Sequence, residues 1–186
     1  GVTDATVATI KRLGANRVFD PLKAKADYIS QNLAPKIHSK LTAFVSKADK
    51  AYKNAVNSLK GNTIDSQSFY QTIQKGLRDK GWIDLRGVPT GRYKTGLDPV
   101  TDKLTNLYLD MKPALTSKGK RIAGQIMSKV DFSTYRDALG SMLRDRPSDR
   151  LIMQAREALY NSAEKSGMTG LKTARDLEKT VFDIEK

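Results

Sequence analysis

The sequence predicts an all-α protein in which a long kinked helical hairpin and a Gly/Pro-rich connector precede a small helical bundle. Between residues 20 and 60 the apolar residues recur at steps of three and four, the spacing of one helix face. Asp20-Pro21 and Asp98-Pro99 mark helix starts, because aspartate can accept an unpaired amide hydrogen and proline at the first position loses no hydrogen bond. Glycine and proline cluster over residues 81–99 and interrupt the helical pattern.

The long helical run begins at Asp20 and ends near Lys60, followed by Gly61-Asn62 as a stop signal. It would span about 60 Å if straight, but Pro35 lies inside it and predicts either a kink or two helices that meet there. A shorter helix starting at Asp65 is expected to fold back on it and to end at Gly81. The apolar stripe of the long run consists of Leu22, Ala26, Ile29, Leu33, Ile37, Leu41, Phe44, Ala48, Tyr52, Val56 and Leu59.

These patterns divide the chain into an extension (1–19), a long helical hairpin (20–80), a connector (81–99) and a helical bundle (100–186). In the connector we expect a small β-hairpin or an ordered loop, with Trp82 packed against the helices. In the bundle we expect a helix halted at Pro113, a short helix through Ile122, Ile126 and Val130, and one capped by Asp131 that stops before Pro147. Two further helices should cover residues 148–165 and the stretch from Thr169 onward.

Net charge is the most unusual feature of the composition. The 186 residues include 33 Lys and Arg against 20 Asp and Glu, a net charge of +13, which implies attraction to phosphate, anionic lipid or an acidic protein. Residues 1–96 hold 17 basic and 7 acidic side chains, a net of +10, whereas residues 97–186 hold 16 and 13, a net of +3. The chain has no cysteine, which excludes disulfides and thiolate metal sites, and no apolar stretch long enough to span a membrane. It starts without Met or a signal-peptide pattern, and we interpret it as a fragment of a longer polypeptide.

No group of residues in the sequence has the pattern of a catalytic, metal or cofactor site. The single histidine, His38, lies beside lysines on the polar side of the long helix. The connector run from Gly87 to Gly96 lacks the glycine directly before lysine that a phosphate loop requires. Arg146, its arginine neighbours and the adjacent aspartates are expected to form ion pairs around Arg146-Pro147. We therefore expect no enzyme activity, no metal and no cofactor. The four glutamates lie on predicted helix faces beside basic residues and fit a solvated role: Glu157, Glu164, Glu178 and Glu185.

The lysines of the long helix provide the alternative functional hypothesis. A solvated helix face is the favoured interpretation, because lysine suits exposed helix positions. The alternative is a nucleic-acid surface that follows the phosphate backbone without reading the bases and weakens with salt. Tyr28, Phe44 and Tyr52 lie on or near the packing stripe and offer no stacking platform. The candidate nucleic-acid-binding residues are Lys36, Lys40, Lys47, Lys50, Lys53 and Lys60.

Several helical segments resemble those of bacteriophage or prophage structural proteins, of the tail tape-measure and virion-internal ejection types. The likeness rests on the helical pattern of residues 135–151, 158–160 and 170–182, together with 48–52 and Leu59, and covers about half of the chain. It implies a non-enzymatic structural or interaction module of a larger phage-derived protein, with protein partners or self-association. It also implies a location in the virion, inside the tail or capsid, or in the bacterial cytoplasm when expressed from a prophage. No catalytic residues carry over from the resemblance.

Overall fold

The structure, a computed structural model, describes residues 35–111 and 126–183, with side chains from residue 39 to residue 181 of these ranges. Within them it contains six helices and a two-stranded sheet, so the predicted all-α class is confirmed. The helices are α1 (Pro35–Ser58), α2 (Gln67–Asp79), α3 (Pro99–Met111), α4 (Lys129–Asp145), α5 (Arg150–Lys165) and α6 (Leu171–Asp183). The strands are β1 (Ile64–Asp65) and β2 (Ile126–Met127).

The chain divides into two compact units. Unit 1 comprises residues 1–61 and 167–186, and unit 2 comprises residues 62–166. Unit 2 is therefore a continuous stretch of sequence inserted between the two described helices of unit 1. This division differs from the expected one, which placed a boundary in the connector at 81–99. The difference arises because the pairing that defines unit 1 joins segments far apart in sequence, and no local change in composition marks it.

In unit 1, α1 and α6 pack side by side and run antiparallel. Ala48 and Val181 are fully buried together, and Phe44, Val45 and Leu177 pack around them. Toward the other end of the pair, the backbone of Gly170 approaches Ala55 so closely that an added Cβ would lie 3.8 Å from the Ala55 Cβ. The Thr169 N–H donates to Ser58 Oγ at 2.8 Å, joining the two segments at this end. The helix that follows Asp65, here α2, was expected to fold back along the long run. In the structure the helix that packs along α1 is α6, and α2 lies in unit 2.

The described part of the long helical run agrees with the sequence pattern. The structure gives α1 from Pro35, while residues 20–34, and with them the expected kink or break before Pro35, lie outside the described residues. At the other end, Gly61 has a φ of +79°, a left-handed conformation that glycine adopts readily. The predicted stop at Gly61 is therefore confirmed.

The core of unit 2 forms where α2 crosses α5, with α3 and α4 packed beside them. The crossing is close at Gly76, because a Cβ at this position would overlap the side chain of Leu151. A side chain larger than hydrogen would push the two helices apart, so glycine sets their distance. The largest fully buried side chains of unit 2 are Tyr108, Phe69, Phe132, Ile64, Ile73, Leu77, Leu104, Leu139 and Ile152.

The short sheet and the start of the helix that follows it correct two expectations for the bundle. β1 and β2 pair antiparallel, with Ile64 opposite Met127 and Asp65 opposite Ile126. Ile126 was expected in a helix but lies in a strand, because backbone pairing with β1, distant in sequence, competes with local helix formation. The next helix, α4, is capped by Ser128, which accepts the Asp131 N–H at 3.0 Å. Asp131 is therefore the third helical residue of a capping box and not the cap itself.

Residues 80–98 form an ordered loop, as expected for the connector. Ile83 and Pro89 form an isolated antiparallel bridge, and Trp82 is buried with its indole N–H donating to Asp102 Oδ1 at 3.0 Å. Gly87 lies under the Tyr108 hydroxyl with a φ of +78°, so only glycine fits there without strain or overlap. The loop is thus held to α3 by specific contacts.

Candidate functional site

The outer side of α1 carries a row of lysines that we call the lysine face, defined as Lys40, Lys47 and Lys50. All three are exposed. Steps of seven and three residues place them within about 80° of one another around the helix axis and along about 15 Å of its length. No acidic residue lies between Lys40 and Lys47. Asp49 lies between Lys47 and Lys50 in sequence but about 100° around the helix from Lys50, and it pairs with Lys53 at 3.0 Å. The lysine face is therefore a uniformly basic surface on the described part of α1.

The other candidate lysines are placed less favourably. Lys53 lies at the edge of the lysine face, and its ammonium group is partly neutralised by Asp49 one turn earlier. Lys60 follows the end of α1 and is exposed. Lys36 is in the first turn of α1, but its side chain lies outside the described residues. The structure thus groups three of the six predicted residues.

The side of α1 away from the lysine face is buried, and this fixes which way the lysines face. Leu41, Ala48, Tyr52, Ala55 and Leu59 are each at most 3% exposed. They recur at steps of three, four and seven, so they share one face of the helix. Because this apolar face packs inward, α1 cannot rotate about its axis without exposing it. The lysine face is consequently held toward solvent.

The expected ion pairs around Arg146 are confirmed, but the main partner was not foreseen. Arg146 Nη2 lies 2.6 Å from Asp98 Oδ1, and Arg146 Nη1 lies 3.5 Å from Asp149 Oδ2. Burial of the Asp98 carboxyl by itself would raise its pKa, but hydrogen bonds from Arg146 and Thr101 outweigh burial and hold the pKa well below its usual range. The pair joins the start of α3 to the end of α4, which is a structural role.

Sequence reasoning also missed a buried charge pair in α4. Arg136 and Asp137 are 3% and 0% exposed, with Arg136 Nη1 3.5 Å from Asp137 Oδ1. Arg136 Nε donates to the Tyr160 hydroxyl at 3.0 Å, and the Tyr160 ring meets Phe132 edge-on at 6.1 Å. Both residues were expected from the sequence to belong to the charge cluster that forms ion pairs around Arg146-Pro147, and their burial was not predicted. Arg136 lies on the side of α4 that carries Phe132 and Leu139, whereas Asp137 lies about 100° further round the helix, so helical spacing signals the burial of Arg136 alone.

Among the described residues, the possible metal ligands do not cluster. Glu157 and Glu164 are exposed on α5. Within residues 35–111 and 126–183, no three His, Cys, Asp or Glu side chains are close enough to share a metal ion. Among the helices of those same ranges, none has the length and apolar character needed to cross a membrane.

Comparison of the chain with known protein families, with characterised proteins and with solved structures finds no match.

Proposed function

We propose that this chain is a non-enzymatic structural or interaction module of a larger phage-type protein, and that it acts through helical surfaces. The observation that carries this proposal is the antiparallel α1–α6 pair, in which each helix buries one apolar face and leaves the rest of its circumference for partners. The phage-type parent protein is taken from the sequence resemblance alone.

Exposed apolar side chains on the helices of unit 2 support contact with protein. Val130 in α4 is 72% exposed and Met153 in α5 is 47% exposed, although both are large apolar residues. Apolar area left in water favours association, because covering it releases about 25 cal/mol per Å². A second copy of this chain is the partner that can be tested directly.

The test is sedimentation velocity of the full chain over a range of concentrations. We expect the average mass to rise with concentration, and to rise less in a V130D/M153D variant. The control is Q154D/N161D, which adds the same charge at exposed positions of α5 and should associate like the parent chain. A chain that stays monomeric at every concentration would contradict self-association.

The lysine face supports a second candidate function, which is binding of nucleic acid without base recognition. Three exposed lysines along about 15 Å of helix can contact successive phosphates of a strand. Each such contact releases counterions, so affinity should fall steeply with salt. Asp49 and Lys53 form a neutral pair at the edge of this surface and add little.

Gel shifts with duplex and single-stranded DNA test this second function. We expect binding at about 50 mM salt that is lost by about 300 mM, and a salt slope reduced by about 3 in a K40Q/K47Q/K50Q variant. The control K75Q/K103Q/K129Q removes the same charge from unit 2 and should keep the slope. An equal reduction of the salt slope in both variants would mean that net charge, and not the lysine face, attracts DNA.

A further inference from the structure

The loop of residues 80–98 leaves large apolar side chains in water. Leu85 and Leu97 are each 86% exposed, and Val88 is 41% exposed. These are three of the six large apolar side chains that are exposed among the described residues, and the other three lie on β2, α4 and α5. Exposed apolar area gathered in one short segment is typical of a surface that a partner or a lipid phase covers.

Hydrogen bonds hold the backbone beside both leucines. Arg78 Nη2, in the last turn of α2, donates to the Leu85 carbonyl at 2.8 Å. Asp98, the residue directly after Leu97, is bound by Arg146 Nη2 at 2.6 Å. Because the backbone is fixed at these points, the loop cannot fold inward to bury the leucines without breaking the contacts. Both side chains therefore remain turned to solvent.

The exposed charged side chains of the same loop are all basic, namely Arg86, Arg92 and Lys94. The two carboxylates of the loop are half-buried and already bound. Asp84 accepts two backbone N–H groups of the loop, at 2.8 and 3.0 Å, and pairs with Arg86 at 3.4 Å. Asp98 is paired with Arg146. The loop therefore presents positive charge together with its exposed leucines.

We propose that this loop binds the surface of an anionic lipid bilayer. Leu85 and Leu97 enter the interfacial layer, while the exposed basic side chains of the loop attract the acidic headgroups. Binding of this kind grows with the apolar area inserted and with each basic side chain near the anionic surface. A bilayer accommodates single protruding side chains, whereas a protein partner requires a complementary surface for each, and nucleic acid attracts the charges without using leucine. The loop lies in unit 2, so the proposal is independent of the lysine face and of the proposed function.

The experiment is co-sedimentation of the full chain with vesicles of phosphatidylcholine that contain about 30% phosphatidylserine, compared with vesicles of phosphatidylcholine alone. We expect binding to the anionic vesicles and little binding to the neutral ones. Leu85→Ser and Leu97→Ser should each weaken binding to the anionic vesicles about fivefold, because each removes apolar area from the interface. The matched control is Ile126→Ser, which removes a 67% exposed apolar side chain from β2 and should leave binding unchanged.

A comparison of charge variants separates this loop from the lysine face. R86Q/K94Q should weaken binding to the anionic vesicles about tenfold, because each basic side chain near an anionic surface adds to the attraction. K47Q/K50Q removes the same charge from the lysine face and should weaken binding less.

Insertion is measured directly by placing an indole at each leucine position. Leu85→Trp and Leu97→Trp keep an apolar side chain, and their added fluorescence should be quenched by vesicles whose lipids are brominated near the headgroup end of the acyl chains. Ile126→Trp is the control and should keep its fluorescence. The single native tryptophan, Trp82, is 8% exposed and contributes the same background to all three variants.

Equal binding to neutral and anionic vesicles would overturn the proposal, as would equal quenching of the three tryptophan variants. Leucine variants that reduce self-association but not vesicle binding would overturn it in favour of a protein interface. Loss of DNA binding in R86Q/K94Q, with vesicle binding unchanged in the leucine variants, would overturn it in favour of a nucleic-acid surface.

Discussion

At the residue scale, two serines that precede helices perform different roles. Ser128 accepts the Asp131 N–H, and Asp131 in turn accepts the Ser128 N–H at 3.1 Å, which completes a capping box. Ser66 is 1% exposed, and among the described residues its hydroxyl has no hydrogen-bond partner. From the sequence, the two helices were expected to start at Asp65 and Asp131 instead, because the capping hydrogen bond of a serine depends on a backbone angle that the sequence does not specify. Ser66 has a ψ of 9°, whereas Ser128 has an extended ψ of 170°.

The two serines should therefore differ in their contribution to stability. We expect Ser128→Ala to lower the free energy of unfolding by about 1 kcal/mol through loss of the cap. We expect Ser66→Ala to leave it unchanged or to raise it by up to about 1 kcal/mol, since an unpaired buried hydroxyl is removed. Urea denaturation of the two variants measures both values. A larger loss for Ser66→Ala than for Ser128→Ala would contradict the assignment.

The ion pair of Asp98 and Arg146 gives a pH dependence. Because the pKa of Asp98 is lowered in the folded protein, the ionised carboxylate contributes stability above its unfolded pKa of about 3.9 and loses that contribution as pH falls toward the folded pKa. The difference in unfolding free energy between the parent chain and Asp98→Asn should be largest near neutral pH and shrink below about pH 4. Urea denaturation over a pH series measures it, with Asp79→Asn as an exposed control. A stability difference that grows as the pH falls would contradict the expected direction of the pH dependence.

At the scale of elements, the loop of residues 80–98 depends on one close approach. Gly87 and Gly96 have nearly equal φ angles of +78° and +77°, but only a Cβ at Gly87 would overlap the Tyr108 hydroxyl, whereas the space at Gly96 is open. Alanine in this conformation costs about 1 kcal/mol at either position. We expect Gly87→Ala to cost about 2 kcal/mol more than Gly96→Ala, because Tyr108 is fully buried and cannot move aside. Chemical denaturation of the matched pair isolates the steric contribution, and equal losses would show that the loop is not anchored on Tyr108.

The sequence predicts where the helices of this protein lie better than it predicts which of them pack against each other. The helix starting at Pro99 and the stop at Gly61 follow from local signals, and the structure agrees. β1 and β2, each two residues long, have no periodicity to detect and form through contacts between segments about 60 residues apart. The partner of α1 likewise depends on tertiary packing, since α2 and α6 both carry an apolar stripe of suitable spacing. The lysine face was predictable from helical spacing, but the pairing of Asp98 with Arg146 was not, because the two residues are 48 positions apart in sequence.

At the scale of the whole molecule, the division of the chain predicts which part folds alone. Unit 2 is continuous in sequence, and the Asp65 N–H donates to Ser166 Oγ at 3.0 Å, so its two ends are adjacent. A domain with adjacent ends and its own core can in principle fold alone. We expect a fragment of residues 62–166 to be helical by circular dichroism and to unfold cooperatively on heating. A fragment of residues 1–61 lacks α6, exposes the apolar face of α1 and should show little cooperative unfolding.

A fragment of residues 62–166 that is unfolded in native buffer would show that unit 2 requires the α1–α6 pair. In that case the division of the chain would describe packing and not folding.

The antiparallel course of α1 and α6 also has a mechanical consequence. Tension applied to the first turn of α1 and the last turn of α6 pulls on the same end of the helix pair. The two helices should therefore separate one turn at a time, starting from that end. Peeling of this kind loads a few contacts at once and yields at low force. The junction of Ser58 with Thr169 is the last to part. Under tension, the α1–α6 pair would therefore separate first and lengthen the chain before the force acts on residues 62–166.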